Sequence, residues 1–164
     1  MITPSNSVYN KALESKEVAA SILLPLIEFE FAFHGAQKPA ITQSESNLCQ
    51  LNKIFQICNK HGWISSKINK LGNKNEYWFK LSNSGFKEIY EIAGPMADKN
   101  KDKWAILLCE CANKKTKDRK SKDKICNIVK NNEDISIKEI CLKTRLLPYT
   151  VSRHVRKLKK EKRL

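Results

Sequence analysis

The sequence is short of glycine and histidine and has no long apolar run, and each shortage argues against a class of function. Five glycines leave no glycine-rich loop to cradle a phosphate group. Three histidines, none of them in a Cys/His or Ser/His motif, offer little for nucleophilic or acid–base catalysis. The best apolar run, from Val18 to Ile27, is too short to cross a bilayer. We therefore expect neither an enzyme nor a membrane protein.

The cysteines have neither the spacing of a metal site nor the setting of a disulfide framework. No pair has the C-x-x-C spacing of zinc sites, and few histidines are present to complete one. The sequence shows no secretory signal pattern, so we expect reduced thiols and a cytoplasmic location. Most of the cysteines occupy apolar positions of helical patterns, which is typical of small buried residues. No metal and no cofactor are expected.

Positive charge is what the sequence has in excess. The 164 residues carry a net charge of +14, with 26 lysines and 5 arginines. Residues 1–97 contribute +2 and residues 98–164 contribute +12, and every arginine lies beyond position 118. A general bias toward lysine would not produce this uneven distribution. It favours a surface for a polyanion in the C-terminal part of the chain.

The apolar periodicity predicts a mainly helical chain with one small β-hairpin. The expected segments of the first part are a loose tail at 1–10, a helix at 11–33 interrupted by Pro25, a break at 35–39, a helix at 44–60, strands at 63–70 and 76–81 around a turn at 71–75, and a helix at 83–93. The apolar face of the 44–60 helix is predicted to consist of Leu48, Leu51, Phe55 and Cys58. Further short helices are predicted at 102–113 and 121–131.

The order of helix, strand, turn and strand, followed by Leu81-Ser82-x-x-Gly85 and a helix, resembles the recognition helix and wing of winged-helix DNA-binding domains. The resemblance covers about residues 44–93, although residues 35–42 do not supply the preceding helix that the family has. It implies that the helix and the hairpin face DNA. The residues placed there are Lys53, Lys70 and Lys74, with Asn47, Gln50 and Lys67 beside them. Because this half is nearly neutral, packing against a protein is the alternative.

The last thirty residues hold the most specific pattern. Ser136 and Glu139 have the spacing of a capping box at the start of a short helix, whose buried face is expected to include Ile137. Residues 145–147 form the predicted turn, and Pro148 suits the first turn of a second helix. The apolar positions predicted to pack inward are Ile137, Ile140 and Cys141 in the first helix and Val151, Val155 and Leu158 in the second.

The run Pro148-Tyr-Thr-Val-Ser-Arg-His-Val-Arg-Lys-Leu158 resembles the helix-turn-helix of winged-helix transcriptional regulators of bacteria and archaea. The resemblance implies that this second helix enters a DNA major groove. The DNA contacts it implies are Tyr149, Thr150, Ser152, Arg153, Arg156 and Lys157. In that family a wing follows, whereas this sequence stops at Leu164, so we expect the second wing to be absent or truncated.

These patterns together predict a tandem (winged) helix-turn-helix protein. Its expected parts are a winged-helix-like domain at 11–97, a helix and basic connector at 98–120, and a helix-turn-helix domain at 121–164. The expected function is sequence-specific binding of double-stranded DNA in transcriptional regulation, with homodimerisation left open. The alternatives are the DNA-recognition part of a larger nucleic-acid enzyme (a mobile-element endonuclease or recombinase), an RNA-binding protein, or a basic helix that serves only a small bundle.

Overall fold

The computed structural model describes residues 5–30, 39–111, 118–132 and 134–164. Over these residues the chain is mainly helical with one small antiparallel sheet, as predicted. The elements are α1 (Asn6–Glu14), α2 (Lys16–Glu30), β1 (Ala40–Ser44), α3 (Leu48–Lys60), β2 (Asn69–Lys70), β3 (Glu76–Lys80), α4 (Asn83–Ala93), α5 (Lys99–Cys111), α6 (Asp118–Lys130), α7 (Ile137–Thr144) and α8 (Pro148–Lys160).

The chain divides into two compact units, and the division falls within α5 between Ala105 and Ile106. The N-terminal unit comprises described residues 5–30 and 39–105, and the C-terminal unit comprises 106–111, 118–132 and 134–164. Part of the predicted basic connector (112–117) and most of the predicted break (35–38) lie outside the described residues. The same holds for residues 1–4 of the predicted tail and residues 31–33 of the first predicted helix.

The first predicted helix is two helices, and the break comes at Ser15 instead of Pro25. The Ser15 amide closes α1 on the carbonyl of Lys11 at 2.9 Å, and the Ser15 hydroxyl accepts from the Val18 amide at 3.2 Å at the start of α2. Helix α2 runs on through Pro25 because burial of Leu23 and Ile27 outweighs one lost backbone hydrogen bond. The tail prediction was also wrong in part, since α1 begins at Asn6.

The sheet has the order β1-β3-β2, with both pairings antiparallel. Strand β1 was missed by the sequence analysis, because Ile41 is the only large apolar residue among its five. It forms because Ile41 pairs with Phe79 of β3, and both side chains are fully buried. The first predicted strand, 63–70, is reduced to β2 and an isolated bridge between Ile64 and Leu81.

Helix α3 follows a 3-10 turn at Glu45–Asn47 and therefore begins later than the predicted residue 44. Its buried face contains Ile54 and Ile57 together with Leu51 and Cys58, whereas the predicted Leu48 and Phe55 are half-buried at its margin. The helix ends at Lys60, as predicted, and Gly62 just beyond it has a φ of 74°, which suits glycine. The next helix, α4, matches the predicted 83–93 and is capped by Ser82, whose hydroxyl accepts from the Gly85 amide at 2.8 Å.

In the C-terminal unit, α6, α7 and α8 pack pairwise around a small core. The residues buried in this unit include Leu107, Ile125, Cys126, Ile140, Cys141, Leu146, Val151 and Leu158. The predicted capping box is confirmed, because the Ser136 hydroxyl accepts from the Glu139 amide at 3.2 Å and the Glu139 carboxylate accepts from the Ser136 amide at 3.0 Å. Ile137 is 38% exposed, so its predicted burial was wrong, since it occupies the first position of α7 at the edge of the bundle.

Candidate nucleic-acid interface

Helix α8 exposes one side that consists of a tyrosine and basic residues. Successive residues of an α-helix are rotated by about 100°, so positions i, i+4, i+7 and i+11 fall along one side. In α8 this spacing selects the outer stripe, defined as Tyr149, Arg153, Arg156 and Lys160, all of them exposed. The opposite side is the buried set of Val151, His154 and Leu158. The helix therefore packs on its bundle with the basic stripe turned outward.

Three other residues predicted as DNA contacts flank the outer stripe. Lys157 and Ser152 lie on either side of it, the first exposed and the second half-buried. Thr150 is half-buried and, at about 100° from Tyr149, lies nearer the packed side. All six predicted positions of α8 therefore share one helix, and four of them are exposed: Tyr149, Arg153, Arg156 and Lys157.

The interior of α8 differs from the prediction at one position. Val155, expected inside, is half-buried, whereas His154 is only 1% exposed. The three buried residues, at spacings of three and four, define a line in which position 154 lies nearer the bundle than position 155. Val155 was predicted inside because valine is apolar, but the direction in which a helix faces its neighbours is set by packing.

The turn before α8 is tight because one residue has a left-handed backbone. Arg145 has φ 54° and ψ 43°, and the Leu146 amide then donates to the carbonyl of Cys141 at 3.3 Å. Leu146 is buried and anchors the turn in the core. Pro148 occupies the first turn of α8, as predicted. The predicted turn at 145–147 is thus confirmed.

Two ion pairs join α6 to the residues that directly follow α8. Lys122 contacts Glu161, and Arg163 contacts Asp123 at 3.1 Å. The hydrogen bond from Lys122 lowers the pKa of the Glu161 carboxyl, and the hydrogen bond to Asp123 raises the pKa of the Arg163 guanidinium. Glu161 and Asp123 thus each have a basic partner within the C-terminal unit. Residues 148–160 themselves contain five basic residues and no acidic one.

The three lysines predicted as DNA contacts in the N-terminal unit do not share one environment. Lys53 is half-buried against α1, with its Nζ 3.4 Å from Asn6 Oδ1 and 5.6 Å from the ring centroid of Tyr9. Lys70 is exposed on β2, its Nζ 5.8 Å from the ring centroid of Tyr77. Lys74 is exposed in the hairpin turn. The structure thus brings Lys70 and Lys74 together on the hairpin and leaves Lys53 on another helix, facing α1.

The three residues expected beside these contacts, Asn47, Gln50 and Lys67, also lie in different places. Lys67 is exposed just before β2, whereas Asn47 donates through its side chain to Gln43 at 3.3 Å and Gln50 is half-buried.

The two faces of the sheet differ in their surroundings. One face, opposite Phe79, carries Trp78, Lys80 and Thr42, and the Lys80 Nζ lies 4.9 Å from the Trp78 ring centroid. Phe79 packs edge-on against Phe55 at 5.3 Å, which makes it a core residue.

Two exposed basic residues in or next to α8, Arg145 and Lys160, were not among the predicted contacts. Lys160 completes the outer stripe, and the helical periodicity that relates Tyr149, Arg153 and Arg156 also includes it. Arg145 lies in the turn, and no local signal marks it because left-handed positions usually carry glycine or asparagine.

The described residues contain no group of three or more His, Cys, Asp or Glu side chains arranged to hold a metal ion. Within the same ranges, no helix is both long and apolar enough to span a membrane.

Comparisons with family models, with curated proteins and with solved structures find no match to this chain.

Proposed function

We propose that this protein binds double-stranded DNA in a sequence-specific manner, through a helix-turn-helix formed by α7 and α8, and acts as a transcriptional regulator. The observation that carries the proposal is the outer stripe of α8, a line of Tyr149, Arg153, Arg156 and Lys160 on a helix with no acidic residue. A major groove about 12 Å wide admits one α-helix with its side chains. The compact turn at Arg145 leads directly into α8, which packs on α6 and α7 and keeps its outer stripe exposed.

The residues of the outer stripe, together with Lys157 beside it, have two proposed roles. Arg153 and Arg156 have the fork of donors that pairs with O6 and N7 of guanine, and Tyr149 can contact a thymine methyl or a phosphate. Lys157 and Lys160 are compact charges suited to phosphate oxygens. In this proposal the arginines provide the sequence preference and the lysines hold the helix in the groove.

The N-terminal unit is proposed as a second, winged-helix-like module. Its support is the sheet order β1-β3-β2 beside α3, in which β2 and β3 form the hairpin that corresponds to a wing. Lys70 and Lys74 would add phosphate contacts from this hairpin, and Lys67 lies beside them. Lys53 supports this role less, because it already packs against α1.

The test is the fluorescence anisotropy of random duplex DNA titrated with the whole chain over a series of salt concentrations. A duplex-binding protein should show a steep linear fall of log K with log salt, about 0.9 per phosphate contacted, and should prefer duplex DNA to structured RNA. Stronger competition by RNA would favour RNA binding instead. An absence of binding at low salt would contradict the proposal.

A charge-matched pair of triple variants locates the interface. Replacing Arg153, Arg156 and Lys160 by alanine should remove most of the affinity and flatten the salt dependence. The control replaces three exposed lysines of the same unit that lie on α6 and α7, Lys124, Lys130 and Lys138. Because both variants lose three charges, a similar loss in both would show that net charge, and not the outer stripe, causes binding.

A further inference from the structure

Arg145 has a backbone conformation that an arginine adopts only at a cost. Its φ of 54° and ψ of 43° lie in the left-handed region, where the Cβ atom crowds the following carbonyl group. Glycine avoids this cost and is the usual residue at such a helix end. Residues held in such conformations often owe their presence to function. The backbone conformation therefore does not explain why position 145 carries an arginine.

The Arg145 guanidinium lies beside one carboxylate of the same unit. Its Nη1 is 3.5 Å from Oε1 of Glu110, which lies in the last turn of α5. Both side chains are substantially exposed, at 56% and 36%. An exposed ion pair of this kind contributes little to stability, so it does not explain why an arginine stands here. The pair does show that the guanidinium is accessible to an anionic oxygen.

The backbone of Arg145 is fixed from two directions. Its amide donates to the carbonyl of Cys141, and its own carbonyl accepts from the thiol of Cys111 at 3.3 Å. The next residue, Leu146, is buried in the core. The turn that carries the guanidinium is thus held in place directly before α8, while the side chain itself is exposed.

We infer that Arg145 binds a phosphate group of the DNA backbone and that Glu110 competes with the phosphate for its guanidinium. The inference rests on the proposed function, since it assigns a further contact to the same interface. The phosphate would replace the Glu110 carboxylate as the anionic partner, and guanidinium–phosphate pairs have the planar, two-bond geometry that arginine favours. Glu110 would then limit affinity and set how steeply it depends on salt.

The experiment compares Arg145→Gly with Lys162→Gly. Lys162 is the other described non-glycine residue with a left-handed backbone, at φ 52°, and it is exposed beyond the far end of α8. Both substitutions remove one charge and relieve the same backbone cost, so the melting temperature should stay the same or rise in both. Only Arg145→Gly should weaken duplex binding, by about tenfold at low salt, and reduce the salt slope by about 0.9.

Glu110→Gln tests the competition. It should tighten duplex binding in the wild-type background and have little effect in the Arg145→Gly background, because its partner is then gone. An equal gain in both backgrounds would show general repulsion by Glu110 and overturn the competition. An unchanged affinity and salt slope in Arg145→Gly, with wild-type protein still binding duplex DNA, would overturn the phosphate contact alone. Failure of the wild-type protein to bind would overturn the proposed function as well.

Discussion

The backbone of Trp63 lies where a side chain at position 85 would have to begin. A Cβ atom built on Gly85 would stand 2.5 Å from the Trp63 Cα and 2.6 Å from the Trp63 carbonyl oxygen. Trp63 is fully buried, and its indole Nε1 donates to the Glu88 carboxylate at 2.8 Å. Its carbonyl oxygen accepts from the Ser82 amide at 2.7 Å. The glycine of the Leu-Ser-x-x-Gly step is therefore what allows α4 to approach the chain that follows α3.

Gly85→Ala is expected to lower the free energy of unfolding of the N-terminal unit by about 1–3 kcal/mol, because a close contact to backbone atoms cannot be relieved by a rotamer change. Urea denaturation followed by tryptophan fluorescence is the measurement, since all three tryptophans lie in this unit. Ser84→Ala, on the exposed side of α4, is the control and should cost less than about 0.5 kcal/mol. Similar effects of both substitutions would rule out the steric explanation.

The capping box of α7 should make the C-terminal unit sensitive to acid. Hydrogen bonds from Ser136 lower the pKa of Glu139 below its ordinary value of 4.5. A lowered pKa in the folded state means that the stabilisation is complete above the ordinary pKa and is lost as the pH falls through the lowered one. Comparison of amide exchange in α7 should therefore show Glu139→Ala less protected than wild type at neutral pH, with the difference shrinking in acid.

Glu139→Gln is the matched control for this prediction, because glutamine keeps a side-chain acceptor without a titrating charge. The protection of α7 in this variant should change less with pH than that of the wild type. The same acid sensitivity in Glu139→Gln and wild type would mean that another group is responsible.

Arg153→Ala should cost about 1–3 kcal/mol on a selected DNA site and relax the preference at one base pair, if Arg153 contacts a base edge. A phosphate contact would instead weaken all sequences alike. The measurement is anisotropy on the selected site and on single-base variants of it. Lys130→Ala, an exposed basic residue of α6, serves as the control and should leave the base preference unchanged.

Replacing Lys53 should lower stability, whereas replacing Lys74 should weaken DNA binding. Lys53→Ala removes contacts to Asn6 and Tyr9 and should lower the stability of the N-terminal unit by about 0.5 kcal/mol. Lys74→Ala should leave stability unchanged, because the side chain is exposed in a turn, and should weaken duplex binding and reduce the salt slope. Unfolding curves and salt titrations of both variants decide whether the hairpin contacts DNA.

Thiol labelling should separate the cysteines by depth. Cys49 is exposed and should react rapidly with a disulfide reagent in the native protein. Burial raises the pKa of the Cys58 thiol and raises that of Cys141 to about 12, so both should react only when their unit unfolds. Mass spectrometry of labelled peptides over time provides the test. Rapid labelling of Cys58 in folded protein would contradict its place in the core.

The elements predicted best from the sequence are those whose signals, such as capping residues, lie within a few neighbouring residues. The capping box of α7 and Pro148 at the start of α8 each act within a turn of helix. The outer stripe of α8 follows in the same way, because helical periodicity alone brings Arg153 and Arg156 to one side. These parts could be predicted since neighbours in sequence are neighbours in space.

The features that were predicted wrongly depend on contacts outside a short window of residues. Strand β1 depends on its pairing with β3, and the division of α1 from α2 depends on Ser15 serving two helices at once. Burial of His154 in place of Val155 reflects the direction in which α8 faces α6 and α7. None of these outcomes can be deduced from a short window of residues.

The sequence by itself determined that the chain is mainly helical, that its positive charge lies in the C-terminal part, and that α7, a three-residue turn and α8 follow one another. Only the tertiary structure decided that Gly85 lies against Trp63 and that Glu110 lies beside Arg145. The physical reason is range: capping and periodicity act over about four residues, whereas steric contacts and ion pairs join groups that only the folded chain brings together.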